Sequence, residues 1–509
     1  MEYKIKSCEI KLYFCIWISA NLFSLYKLIE AQNDILKHNS EYHKLSDLQP
    51  GWSITSKLKD VSDIEWSTWK YFIISSWQYL LIQFIISELI RYSCVSILKY
   101  WYILSSLTFI SFYMGLRQVI IIVIQPVIYY LILLCGGKKL SIWFTSILLL
   151  LSYNSLKYKY YFWNFLDHEN LQDEEVYLLL FSVAWIELRC ITFCLDYLER
   201  KTNKIHIWQD LVNLFSYILY LPLLYTGPII LYDDFEKSFN SKMKLLTRLK
   251  RFAMDMLLFQ FYTFVLDLMF HYIYFFAMQD NMELIKKLPT IALCGGGLWM
   301  GLEFHIKYVI SYGTTAAYAR LDNMEPPPNP RCIARIHVYS QMWRHFDVGL
   351  YRFLVKYIYK PGYDSLIKYC KLSKTACKLL ASLATFLFVF VWHGTVWHIL
   401  VWSVLNYSGI TLEHFGKAIS KHEIYQQFRV NFLKTEAMET RFIALLCSPL
   451  LALSAVSNFY LFAGSEVGNL FFECFSQPTL LNFLILSVSL YSCCQVSMYL
   501  ENVPARGTV

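Results

Sequence analysis

The chain has 509 residues, 56% of them hydrophobic and 18% aromatic, with a formal net charge of +8. So apolar a composition excludes an ordinary soluble globular protein and reads as a polytopic membrane protein. The basic residues sit in short loops between apolar runs, which argues against nucleic acid as a partner and fits the positive-inside rule of membrane topology.

At the N-terminus Lys4, Lys6, Glu9 and Lys11 precede an apolar run from Leu12 with no small-residue cleavage site after it, so a retained first helix or signal anchor is expected. Residues 31–69 are polar and aromatic, and the acids and tryptophans from Leu58 to Trp69 predict a helix at the headgroup level. Helices are predicted near 12–29, 71–93, 98–116, 118–135, 140–157, 175–196, 206–231, 252–278, 289–313, 379–397, 399–416, 441–463 and 479–499. Crossing a hydrocarbon core ~30 Å thick takes ~20 residues, and some neighbouring segments read as re-entrant, leaving about ten to twelve transmembrane and re-entrant helices. No period-two pattern of a barrel is found, and the chain is read as all-α.

The charged stretch 158–174 reads as an exposed loop. The run Lys242, Lys244, Arg248, Lys250 and Arg251 reads as a cytosolic loop that also attracts anionic headgroups. Fourteen cysteines are scattered through apolar segments, as at Cys190, Cys194, Cys493 and Cys494, without zinc-like spacing, and most read as small buried residues. No internal repeat or second soluble domain is found, so residues 1–509 read as one integral membrane domain.

The region 320–378 departs from the pattern. Pro326, Pro327, Pro328 and Pro330 break any helix; Arg331, Cys332, Arg335, Trp343, Arg344, His345, Phe346 and Asp347 follow, then an amphipathic piece from Leu350 to Tyr359. Irregular backbone survives at membrane depth only where protein or water satisfies it, so this segment is expected to be a half-buried or re-entrant element that closes one side of a cavity. Further on, Phe390-Val391-Trp392-His393-Gly394 plants an imidazole inside a long apolar run. Ionisable groups at membrane depth mark substrate paths, and imidazole is easily poised near neutral pH, so His393 is a candidate general base. By itself, a histidine bonded to a carbonyl explains this position as well.

The segments QMWRHFDVGL (Gln341 to Leu350) and Trp392-His393-Gly394 resemble the membrane-bound O-acyltransferase family, in which a WRxFD-type segment precedes a WHG motif on a membrane-embedded helix. The resemblance is to the branch that acylates hedgehog proteins. It is carried also by Leu58 to Trp69, Tyr225 to Ile229, Arg320 to Cys332 and Ser457 to Gly468. One relative in this branch lacks the histidine; His393 is present here, which favours an active enzyme.

The resemblance implies a helical bundle around an intramembrane reaction tunnel in the endoplasmic reticulum membrane. Palmitoyl-CoA would enter from the cytosol, and a secreted hedgehog-like protein would present its N-terminal cysteine from the lumen. His393 and Asp347 are then the catalytic candidates, and Trp343, Arg344 and Asn458 the substrate-binding ones. Cys332 is an axial ligand of haem b on the same resemblance; the residues alone favour a buried thiol or a palmitoylation site. Asp347 is equally a partner for Arg344, Trp343 and Arg344 an interface belt, and Asn458 a helix-to-helix hydrogen bond. An enzyme acylating a lipid hydroxyl or another secreted protein, and a non-catalytic acyl-binding scaffold, remain open alternatives. A transporter is disfavoured because no paired, interrupted halves are found.

Overall fold

The computed structural model describes residues 5–38, 45, 47–154, 173–200, 206–240, 243–333 and 337–502. Lys242, Arg335 and nearly all of the expected 158–174 loop lie outside them. The chain runs through α1 (Ser7–His38), β1 (Leu48–Pro50), β2 (Leu58–Asp60), α2 (Ile64–Ser93), α3 (Leu98–Tyr113), α4 (Leu116–Leu134), α5 (Lys139–Asn154) and α6 (Asp173–Glu199). Then come α7 (Ile207–Ile218), α8 (Tyr232–Ser238), α9 (Leu245–Met269), α10 (Phe275–Gln279), α11 (Met282–Lys286) and α12 (Thr290–Leu321). The last part holds α13 (Tyr339–His345), α14 (Val348–Leu354), a π-helical turn (Val355–Tyr359), α15 (Lys360–Tyr369), α16 (Lys374–His393), α17 (Trp397–Ile419), α18 (Glu423–Phe428), α19 (Glu436–Ser476) and α20 (Leu480–Asn502).

Among the described residues nine helices are long and apolar enough to cross a membrane: α1, α2, α3, α4, α6, α9, α16, α19 and α20. The helices α12 and α17 are also long, 32 and 23 residues, but carry polar side chains turned to a cavity. At the centre stands α6, in which every residue from Trp185 to Asp196 is buried, the polar Glu187, Arg189, Thr192 and Asp196 included. It packs on α2, α4, α5, α7 and α8. One core forms around α3, α4, α6 and α7, a second around α1, α9, α12 and α19, and α12 contributes to both. The glycines Gly295 and Gly296 permit this, because a Cβ on either would run into the Ser24 carbonyl of α1 or the Phe275 ring.

Three expectations are corrected. The segment Leu58–Trp69 is not one headgroup-level helix: Leu58–Asp60 pairs antiparallel with Leu48–Pro50, and Trp66 and Trp69 open α2. The helix begins there because the Asp63 carboxylate accepts the Trp66 N–H at 2.8 Å and Glu65 sits in the first turn.

The segment 206–231 is not one span either. Its helix α7 ends at Ile218, and a 3₁₀ turn containing Pro222 follows, all of it buried. Broken backbone is tolerated here because Arg189 of α6 donates to the Ile218 carbonyl at 2.9 Å and to the Leu223 carbonyl, while Ser106 donates to the Leu219 carbonyl. Finally, the predicted 441–463 helix belongs to the longer α19, which is kinked at Gly464, φ +77°.

The 320–378 region is broken as expected. Asp322, at the end of α12, is clamped by Arg91 at 2.8 Å and the Tyr220 hydroxyl at 2.9 Å, and the proline run leads into α13 and α14. These two short helices close one side of the cavity described next.

Candidate active site

Helix α16 starts on Ser373, whose hydroxyl accepts the Ala376 N–H at 3.1 Å, and ends at His393. Gly394 stops it with φ +126°, a backbone region that side chains avoid. The last turn is held from two sides. Asn154 donates to the Val391 carbonyl at 2.7 Å, and the Trp392 indole to the Ala184 carbonyl at 3.2 Å. His393 is thereby presented to the cavity: its ring lies edge-on to Trp392 at 4.7 Å and to Trp402 at 5.3 Å. The residue is accessible, yet deep in protein, because its open side is the cavity wall.

Asp347 sits between α13 and α14 and caps the second. One carboxylate oxygen accepts the Leu350 N–H at 2.8 Å, the other the Tyr312 hydroxyl at 3.2 Å. The local pairing with Arg344 open from sequence is not what holds it: the Arg344 guanidinium lies over the Tyr351 ring, 5.9 Å from its centre.

Trp343 and Asn458 meet through two residues that sequence reasoning missed. The Trp343 indole donates to Asn406 at 3.2 Å and packs edge-on to Trp402 at 5.3 Å. The Trp402 indole donates to Asn458 at 3.3 Å, and the Asn406 amide donates to the Trp402 carbonyl at 2.8 Å and to Ser457 at 3.3 Å. Trp402 therefore links the His393 edge to the substrate-binding candidates. The available signal was an amide in an apolar stretch, four residues after a tryptophan and so on the same helix face.

His393, Asp347, Trp343, Arg344 and Asn458 all line one cavity of about 940 Å³. That is near the top of the ~300–1,000 Å³ range of ligand sites. Along α17 the wall extends from Trp402 to Glu413, His414 and Lys417, so it continues for roughly 22 Å at 1.5 Å per residue. Elsewhere the wall is formed by the α2 start and α12, where Lys307 Nζ meets Asp63 at 2.6 Å, Glu65 at 3.0 Å and Glu303 at 3.5 Å. Between lie Tyr308, Phe346, Leu350, Leu354, Phe386 and Val389, a surface suited to an apolar chain. The arrangement can hold a long apolar ligand with its reactive end at an imidazole.

Cys332 does not line this cavity. It stands half-buried within electrostatic reach of Cys493 in α20. Residues 334–336, next to it in the chain, lie outside the described residues, and no group of three His, Cys, Asp or Glu side chains that could hold a metal ion occurs among the described residues.

Comparison with known proteins adds an independent line. A model of the membrane-bound O-acyltransferase family matches residues 138–433. The chain is similar to the protein-cysteine N-palmitoyltransferase Rasp of Drosophila melanogaster, 28% identical over 467 residues, which cover 91% of this chain and 89% of that one. It is also similar to the Mus musculus protein-cysteine N-palmitoyltransferase HHAT, 28% identical over 51% of each chain, and to the Mus musculus HHAT-like protein, 24% identical over 80% of this chain and 78% of that one.

Proposed function

This chain belongs to the membrane-bound O-acyltransferase family, and we propose that it moves palmitate from palmitoyl-CoA to the N-terminal cysteine amine of a secreted, hedgehog-like protein. The observation that carries the reading is the single cavity lined by both His393 and Asp347, long and apolar enough for an acyl chain. Rasp and the mouse HHAT, by their names, are protein-cysteine N-palmitoyltransferases.

In this reading the acyl chain lies among the apolar wall residues with its thioester near His393. An N-terminal amine has a pKa near ~8, so much of it is only one readily lost proton from the nucleophilic form. The neutral nitrogen attacks the thioester carbonyl, and His393 takes a proton from the resulting ammonium. The tetrahedral intermediate then collapses: the C–S bond breaks, the coenzyme thiolate leaves, and the imidazolium proton restores its thiol. Arg344 and Asn458 are the candidates to face the thioester oxygen and the coenzyme phosphates, and Trp343 to gate the chain. Asp347, fixed by Tyr312 and the α14 amide, orients the amine or the base. The product amide strengthens membrane attachment of the secreted protein. The reading places the enzyme in the endoplasmic reticulum membrane, with the basic start of α9 on the cytosolic side.

The test uses purified protein, labelled palmitoyl-CoA, a cysteine-initiated peptide and the same peptide N-acetylated. Label on the free-amine peptide alone is expected. Equal label on the blocked peptide would move the reading to thiol or hydroxyl acylation, and label on neither would remove the protein substrate.

A further inference from the structure

Residues 360–378 take no part in the site described above. The cavity wall reaches Tyr359 in the π-helical turn and resumes at Ser382 in α16, and no residue between them lines it. This stretch carries five lysines, Lys360, Lys368, Lys371, Lys374 and Lys378, against a single acid, Asp364, and all six residues are exposed. In the turn just before it, Lys356 is held by Asp196 at 2.8 Å and Asp233 at 2.6 Å, whereas none of the five lysines forms an ion pair with a described residue.

Apolar groups lie uncovered among those charges. Helix α15 buries none of its residues, and Tyr369 is 75% exposed, Leu372 47% and Ile367 41%. Lys368 holds its ammonium over the Tyr369 ring, 5.0 Å from the centre. Retention of positive charge in cytosolic loops accounts for the lysines but gives no reason for a ring and aliphatic chains left in water between them. A lipid surface accounts for both: the ammonium heads reach headgroup phosphates while their stems and the apolar side chains enter the acyl boundary.

The stretch also faces the leaflet that carries anionic lipid. Helix α6 starts beside the start of α2, where Glu175 accepts the Tyr71 hydroxyl at 3.1 Å, and α2 starts beside the end of α9, where Asp267 bonds Trp66 and Lys70. The other ends of these helices therefore share the opposite side. There Arg248, in the basic first turns of α9, bonds Glu88 near the end of α2 at 2.7 Å, and Asp196 near the end of α6 bonds Lys356. By the positive-inside rule that side is cytosolic, and α15 begins four residues after Lys356.

We propose that α15 and the start of α16 form a docking surface for anionic phospholipid of the cytosolic leaflet. Its place gives the contact a consequence. Helix α15 packs on the π-helical turn, which is part of the cavity wall, and on α16, which ends at His393, so seated lipid braces two walls of the cavity from outside. Binding is read without turnover, so the docking surface stands or falls apart from the acylation reading.

The experiment measures binding of tail-labelled fluorescent phosphatidylserine and phosphatidylcholine to the full-length protein in neutral detergent, at low and high salt, with coenzyme A as a competitor. The proteins are wild type; Lys368→Gln, Lys371→Gln and Lys374→Gln combined; the same three positions changed to arginine; Tyr369→Ser with Leu372→Ser; and, at the start of α9, Lys244→Gln, Lys250→Gln and Arg251→Gln combined. Every substituted residue is exposed, so the fold is retained. Wild type is expected to prefer phosphatidylserine by about tenfold or more, since one lysine near an anionic surface contributes about fivefold, and high salt to reduce the preference. The glutamines bring the two lipids to within about a factor of two, the arginines and the α9 variant keep the preference, and the serines weaken both lipids alike. Equal wild-type affinities, a preference that survives the glutamines, one that the α9 variant loses as fully, or serines without effect on either lipid overturns the docking surface. Displacement of phosphatidylserine by coenzyme A overturns it too, by assigning the lysines to the coenzyme phosphates.

Discussion

Gly394→Ala isolates the backbone device that presents the imidazole. At Gly394 an added Cβ meets nothing within 4 Å, so no packing clash complicates the change; the cost is conformational, set by φ +126°. Holding a non-glycine residue in such a region costs of order 1–3 kcal/mol. Gly416 is the matched control: a Cβ there also meets nothing within 4 Å, but the residue lies inside α17. There alanine is expected to stabilise by roughly 0.5–1 kcal/mol. The two substitutions thus add the same methyl group and differ in the sign of their effect. Relief of the strain at 394 would rotate the end of α16 and shift His393, and a displacement of ~1 Å at a reacting group can cost about 10²-fold in rate. Thermal unfolding of the detergent-solubilised protein and the palmitoylation rate give the readouts. Lower stability and activity for Gly394→Ala, with neither lowered for Gly416→Ala, are expected; wild-type stability and rate for Gly394→Ala would refute the reasoning.

Tyr312→Phe removes the hydroxyl that donates to Asp347, and a loss of about tenfold in rate is expected with little change in palmitoyl-CoA affinity; an unchanged rate would separate Asp347 from Tyr312. Arg189→Met leaves the Ile218 and Leu223 carbonyls unpaired in the core, at about 1–3 kcal/mol each, which a thermal scan monitored by size-exclusion chromatography should reveal as a lowered midpoint. Asp60 is buried in the hairpin, and burial pushes its carboxyl up to about 6, against donors from Ser62 and the Ala277 amide. Because the folded form holds its proton to higher pH than the unfolded one, its contribution falls as pH rises from about 4 to about 6 and stays level above. The wild-type minus Asp60→Asn difference in unfolding temperature should change across that window and then flatten; a constant difference from pH 4 to 7 contradicts the assignment.

The apolar runs made the long helices legible, and His393 stood out as an imidazole inside one of them; Asp347, Trp343, Arg344 and Asn458 were legible only through the family resemblance of the segments that hold them. Cooperation between distant residues was not legible. Hydropathy extends a helix through 219–231 because the arginine that satisfies the broken backbone stands some thirty residues earlier. Strands of three residues leave almost no periodicity, so β1 and β2 were invisible. Trp402 and Asn406 are joined to Asn458 and Trp343 across separations of 56 and 63 residues, and single-chain patterns do not carry such pairings. Glu303 and Lys307 fell inside an expected span, where their shared cavity with Asp63 and Glu65 could not be seen.

The central claim is that His393 takes the proton when palmitate is transferred to an amine. Single-turnover palmitoylation of a cysteine-initiated peptide by wild type and His393→Ala, with palmitoyl-CoA affinity measured on both, tests it most directly. The account predicts a rate loss of about 10²-fold or more with affinity held within about a factor of three. A His393→Ala enzyme that binds palmitoyl-CoA and forms the amide at the wild-type rate would contradict it.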